Sequence, residues 1–137
     1  MKASSLVSRS EAATITTAVE SLAGEMVEFL QRIVRIPTEN PPGTGYSECA
    51  AEIGRTMAGV GLAVETVEVP SDLLPRLAPH GRGLPRPSVI GRLPGGGARP
   101  LLHFTGHYDV VPAGAGWSMD PWGGVLTAGN VYGRGAC

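Results

Sequence analysis

The chain has 137 residues, 42% of them hydrophobic and 17% charged, with a formal net charge of −1. That length carries one domain, able to bury roughly two-thirds of its unfolded surface. The charged share is below the roughly 25% of an average domain. Lys and Arg form no run, so neither a nucleic-acid face nor a polybasic membrane patch is indicated.

Residues 1–17 are rich in Ser, Thr and Ala and lack the apolar stretch of a signal peptide. They are expected to be a frayed, disordered leader. From residue 18 to 36 the apolar positions Val19, Leu22, Met26, Phe29, Leu30 and Ile33 recur at helical spacing. Pro37 ends that helix, because the residue before a proline is pushed out of the α region. The run Pro37-Thr38-Glu39-Asn40-Pro41-Pro42-Gly43 is then a stiff loop. Residues 46–60 predict a second helix with Ala50, Ile53, Met57 and Val60 inward, stopped by Gly59 and Gly61.

Residues 62–69 alternate, with β-branched side chains, and predict a half-buried strand. Residues 70–87, with five prolines, have the composition of a long loop. Residues 88–93 form a short strand, and Pro94-Gly95-Gly96-Gly97 turns the chain. Those glycines are no phosphate loop, because no Lys-Ser/Thr follows. The apolar run 100–105, ending at Gly106, predicts a central strand buried on both faces. Near the end, Val125-Leu126-Thr127 and Val131-Tyr132 form the arms of a hairpin turning at Gly129-Asn130. Two helices followed by strands give an α/β sandwich. No apolar run approaches the ~20 residues of a membrane-spanning helix.

The two cysteines, Cys49 and Cys137, make neither a disulfide framework nor a Cys-x-x-Cys metal pattern. A reduced, cytoplasmic setting follows. Cys137 has no base nearby in sequence to make it a nucleophile.

Sites in open α/β sheets form at the carboxyl ends of strands. At that place the sequence reads Gly106-His107-Tyr108-Asp109-Val110-Val111-Pro112. Residues two apart in an extended segment share a side, so His107 and Asp109 face the same way. A neutral imidazole ligates zinc, and a carboxylate behind it fixes its tautomer. The alternative is a hydrogen-bonded histidine at a strand end. His80 falls in the proline-rich loop and is expected to be solvated, and His103 reads as a satisfied core histidine. Trp117, Trp122 and Tyr132 read as residues packing a loop on its sheet. Arg134, between two glycines, reads as a donor to loop carbonyls. Glu39 and Asn40 receive no role.

Four blocks resemble the first metal-site region of a known family: residues 106–112, Trp117, Asp120-Pro121-Trp122 and Tyr132-Gly133-Arg134-Gly135. The family is that of the aminoacylases, acetylornithine deacetylases, succinyl-diaminopimelate desuccinylases and carboxypeptidase G. Residues 34–43 resemble its first helix and loop, so the likeness runs from about residue 22 to the end, apart from 70–87. The resemblance implies a three-layer sandwich with a mixed, mostly parallel sheet, the fold of zinc-dependent exopeptidases. Residues 18–137 would be the amino-terminal part of its catalytic domain. His107 would ligate one zinc of a two-metal centre, in which Co2+ or Mn2+ can substitute. Asp109 would be the catalytic-site carboxylate behind that ligand. The metals would polarise the amide carbonyl and activate a water, with a downstream Glu-Glu pair supplying the base.

The substrate would be a small N-acyl amino acid or peptide. Nucleic acid and membrane are not expected as partners, and the full-length protein would be a homodimer. The family's bridging aspartate follows the Tyr-Gly-Arg-Gly block closely, at the place where this sequence stops. That aspartate, the Glu-Glu pair, the later ligands and the lid and dimerisation domain lie outside these 137 residues. The chain is therefore expected to be a fragment that is inactive alone. The deacetylase and desuccinylase branch fits the loop at 37–43, with a metallo-dipeptidase or carboxypeptidase as the alternative. In a different class stands a non-catalytic binding module.

Overall fold

The computed structural model describes residues 8–95 and 101–136. Its elements are α1 (Arg9–Ser21), α2 (Ala23–Val34), α3 (Tyr46–Gly59), β1 (Ala63–Glu68), α4 (Leu74–Leu77), β2 (Pro87–Arg92), β3 (Val125–Thr127) and β4 (Asn130–Tyr132). The chain thus mixes helix and strand, as expected.

Where the leader was expected to fray, α1 begins at Arg9. A capping box starts it: the Ser8 hydroxyl accepts from the Glu11 N–H at 3.2 Å, and the Glu11 carboxylate accepts from the Ser8 N–H at 2.8 Å. Two of the orphan donors of the first turn are satisfied in this way. Nothing on α1 is buried. The single helix expected over 18–36 is divided at Leu22, which lies between α1 and α2.

The core forms where α2 ends and α3 begins. Val34, Ile36, Tyr46, Cys49, Ala50 and Leu74 are buried, together with the hydroxyl-bearing Thr38. Burying an aliphatic side chain of this size stabilises by about 1.5–3 kcal/mol. Gly45 lets the chain turn into α3. Its φ is +68°, and a Cβ there would lie 2.6 Å from the Pro37 carbonyl oxygen. Only glycine fits that approach at low cost. Arg32 on α2 meets Glu52 on α3 at 2.7 Å, and Arg55 meets the same carboxylate at 2.6 Å. These bonds hold the Glu52 carboxyl below the usual range.

β1 and β2 pair antiparallel from Ala63↔Arg92 to Glu68↔Pro87. The strand was expected to be half-buried, but all six β1 residues are exposed. In this two-stranded ribbon with α3 against it, Pro87 of β2 is buried and Val89, Ile90 and Gly91 are half-buried, while β1 stays wet. Within 70–87 the expected structureless loop contains α4, which anchors itself through buried Leu74. The β3–β4 hairpin is present, with Thr127 paired to Asn130. Its turn is Ala128-Gly129, one residue earlier than expected. Both residues have positive φ (47° and 77°), as a type I′ turn requires.

The buried central strand is the clear correction. Residues 101–105 form no strand, and Leu101, Leu102 and Phe104 are 92%, 77% and 84% exposed. His103 is exposed with them rather than held in a core. An apolar run becomes a central strand only with a strand on each side and a layer on each face. Among the described residues nothing occupies those places. The two sheets found there are two-stranded and antiparallel, and they do not build a three-layer sandwich with a mostly parallel sheet. The one parallel pairing among the described residues is an isolated bridge between Glu39 and Val110. No helix among them is long and apolar enough to cross a membrane. Residues 1–7 of the leader, Gly96, Gly97 and Pro100 from the expected turn and strand, and Cys137 lie outside the described residues.

Candidate functional site

The segment after the apolar run is held by the loop between α2 and α3. The Thr38 hydroxyl donates to the Tyr108 carbonyl at 2.6 Å, and the Val110 N–H donates to the Thr38 carbonyl at 3.0 Å. The Asn40 N–H donates to the Val110 carbonyl at 2.8 Å. Residues 38–40 thereby run beside 108–110 as one rung of a parallel pairing. The Tyr108 hydroxyl donates to the Pro87 carbonyl, and its ring meets Tyr46 edge-on, with centroids 5.4 Å apart. Arg86 lies over the Tyr46 ring at 4.8 Å and donates to the Pro42 carbonyl at 2.6 Å. Burial, followed by the charge of Asp109, pushes the Tyr46 hydroxyl up to about 12. Burial first also raises Tyr108 to about 12.

On this support sit the two residues singled out from the sequence. His107 Nδ1 lies 3.1 Å from Asp109 Oδ1 and 2.9 Å from the Asp109 carbonyl oxygen. Both partners are acceptors, so in the neutral ring the proton sits on Nδ1 and Nε2 keeps its lone pair. The imidazole side chain is 85% exposed, so that lone pair faces outward. Asp109 is gripped from the other side, where the Asn40 amide donates to its Oδ2 at 2.9 Å. Desolvation acts to raise the Asp109 carboxyl. Hydrogen bonding, from Asn40 first and then Tyr46, outweighs it, and the group ends below its ordinary value. Asp109 is thus anionic and oriented at neutral pH.

The far end of the segment is clamped at Ala113. Its N–H donates to Glu39 Oε1 at 3.0 Å. Its carbonyl accepts from Trp117 Nε1 at 2.8 Å and from Arg134 Nη2 at 2.9 Å. Arg134 also stacks over Trp117 at 4.9 Å. Arg134 thus donates to a loop carbonyl, the role read for it from its sequence context. Trp122 sits in the turn where its N–H donates to Asp120 Oδ1 at 2.9 Å. The hairpin docks on α2 through Gln31, which donates to the Gly124 carbonyl at 2.7 Å, and through Arg35, which donates to the Gly123 carbonyl at 3.1 Å.

The structure brings His107 and Asp109 together and leaves His80 and His103 exposed and apart from them. Glu39 and Asn40, which receive no role from the sequence, and Tyr46 support this pair in the structure. No spacing rule flags these residues, because their partners lie more than sixty positions away. Cys49 is free and buried, and burial first, then Glu48 and Glu52, pushes its thiol up to about 11. A protonated buried thiol is not a nucleophile. Among the described residues no three His, Cys, Asp or Glu side chains converge in a way that would hold a metal. They supply one outward imidazole donor with its orienting carboxylate, and by themselves they do not fit a zinc ion, which takes four ligands or three plus water.

Comparison of the chain with known proteins finds relatives named succinyl-diaminopimelate desuccinylase, all of them from bacteria. It is 32% identical over 125 residues to the succinyl-diaminopimelate desuccinylase of Gluconacetobacter diazotrophicus, an alignment covering 90% of this chain and 28% of that enzyme. To the enzyme of the same name from Methylobacterium radiotolerans it is 35% identical over 111 residues, covering 80% of this chain and 25% of the relative. A shorter match, 46% over 52 residues, joins it to the Gluconobacter oxydans enzyme, covering 38% of this chain and 13% of the relative. No family model matches the chain. No solved structure matches it either. With matches running along most of its length, the chain belongs to the aminoacylase, acetylornithine deacetylase and succinyl-diaminopimelate desuccinylase family of hydrolases. It spans about a quarter of the length of the curated relatives that match along most of it.

Proposed function

We propose that the complete gene product is a zinc-dependent amidohydrolase of N-acyl amino acids, deacetylase- or desuccinylase-like, and that this chain supplies one metal ligand to it. The observation that carries the reading is His107: Asp109 holds its Nδ1, while Nε2 faces outward. That arrangement is the one a carboxylate–histidine–metal relay needs. In the reaction, water adds to the acyl carbonyl, the C–N bond breaks, and a carboxylate and a free amine leave. A zinc centre would supply Lewis-acid polarisation of the carbonyl. Within this chain, His107 offers the lone pair, Asp109 keeps the ring oriented and its tautomer fixed, and the 38–40 loop keeps Asp109 in place.

The names of the relatives support the desuccinylase branch over a dipeptidase or carboxypeptidase. The three-layer sandwich, the second zinc, the dimer and a cytoplasmic setting belong to the same proposal, as properties of the complete protein. The 137-residue chain alone would be inactive, because its described residues offer no converging set of three ligands.

The test measures bound zinc and amine release from an N-succinyl diamino acid, in the complete gene product and in its His107→Ala variant. The reading expects two zinc ions per chain in the parent, loss of at least one in the variant, and loss of activity with it. Unchanged zinc content and activity in the variant would sink it.

A further inference from the structure

The loop that precedes α3 grips the His107 segment at two independent points, and neither contact follows from the proposed reaction. Asn40 places its amide N–H on Asp109 Oδ2 at 2.9 Å, which turns Oδ1 toward His107 Nδ1 at 3.1 Å. Glu39, its neighbour, accepts the Ala113 N–H at 3.0 Å, six residues beyond His107. Between the two grips runs the backbone bridge to Val110. A carboxylate with one oxygen free to rotate offers His107 several orientations. One with Oδ2 fixed by a neutral donor offers a single one. We infer that Glu39 and Asn40 are positioning residues, which set the orientation of the His107 ring through Asp109 and through the Ala113 peptide.

The chemistry of each side chain is specific. At position 40 the contact needs a donor of asparagine's length. Asn40→Asp keeps the shape but faces one carboxylate with another. At position 39 the contact needs an acceptor, and Glu39→Gln keeps one. Charge is therefore dispensable at 39, while the amide is indispensable at 40. This asymmetry separates positioning from a general need for a loop.

The inference rests on the reading of His107 as a metal ligand only for its effect on zinc. Its effect on the ring is separate. The experiment has two readouts in the complete gene product and its Asn40→Asp, Glu39→Ala and Glu39→Gln variants. The first is the 15N signals of the His107 ring in the metal-free protein, at a pH well above the ordinary imidazole value of about 6.5. The second is zinc affinity by chelator competition. Amide exchange of α3 and of the β1–β2 ribbon serves as the control for folding.

Asn40→Asp and Glu39→Ala are expected to shift the Nδ1 signal, because the carboxylate leaves it and the Asp109 carbonyl remains as its acceptor. Each should weaken zinc binding roughly tenfold, the low end of what loss of an orienting partner costs. Glu39→Gln should match the parent in both readouts. If Glu39→Ala unfolds the loop, isosteric Asn40→Asp carries the test by itself. Ring signals that stay at their parent values in folded Asn40→Asp overturn the inference. If the ring signals move while neither Asn40→Asp nor His107→Ala affects zinc, the positioning stands and the proposed metal role of His107 falls.

Discussion

Two neighbouring stretches, 101–105 and 107–113, differ sharply in what holds them. Residues 107–113 carry few large apolar side chains, yet Tyr108, Asp109, Val110 and Ala113 are each hydrogen-bonded to residues 38–40. Residues 101–105 contain Leu101, Leu102 and Phe104, the makings of a core, yet they stand in solvent. Hydrogen bonds between two loops need only those two loops. Hydrophobic burial of a central strand needs layers on both faces and strands on both edges. The site-forming segment is therefore set by the chain's own contacts, while the apolar run waits for surfaces the described residues do not provide. Exposed apolar surface of this kind also drives self-association.

The largest blow to the ordered region should come from Gly45→Ala. The left-handed φ and the 2.6 Å approach to the Pro37 carbonyl make this substitution cost about 2 kcal/mol or more. Chemical denaturation should register it as an early transition, and a parent-like midpoint would mean the loop tolerates a different path. Next comes Thr38→Val, which keeps the volume of a buried residue but strips the donor from the Tyr108 carbonyl. A loss of about 1 kcal/mol is expected from one part-buried acceptor left without its donor.

A pH effect of smaller size sharpens the same point. Tyr46 and Tyr108 ordinarily ionise near 10 and are raised to about 12 in the fold. Below pH 10 the tyrosines are protonated in both states, and their contribution is complete. Between 10 and 12 the unfolded chain sheds protons that the folded chain retains, so stability falls as pH rises. Denaturant midpoints across that window should decline. A flat profile would place both hydroxyls in water.

The smallest effect is predicted for the other stretch. Converting Leu102 and Phe104 together to Lys should leave the stability of this chain within about 0.5 kcal/mol, the range of surface substitutions, while lowering the binding of a hydrophobic dye. A large loss would put the run inside the core after all.

The legibility of the sequence follows the same division. Helix α3 and the strands β1 and β2 were readable because periodicity and glycine stops are local signals, while their antiparallel pairing was not. His107 and Asp109 were readable as a pair because spacing of two residues puts them on one side. The capping box that starts α1 was also local, but the Ser, Thr and Ala content around it pointed to fraying. Glu39, Asn40 and Tyr46 were hidden, because their partners in the 108–113 segment lie 62 to 74 positions away. The run 100–105 misled for the opposite reason: its composition records a buried environment, and the described residues do not build one. The hairpin turn moved by one position because pairing of Thr127 with Asn130 uses Ala128, a residue seldom found at positive φ.

Amide hydrogen exchange on the 137-residue chain tests the division most directly. The N–H groups of Asn40, Val110 and Ala113 donate across the two loops, whereas residues 102–105 belong to no strand. The account predicts slow exchange at Asn40, Val110 and Ala113, and exchange at 102–105 close to that of an unstructured peptide. Equal protection of both stretches, or fast exchange at Asn40 and Val110, would contradict it.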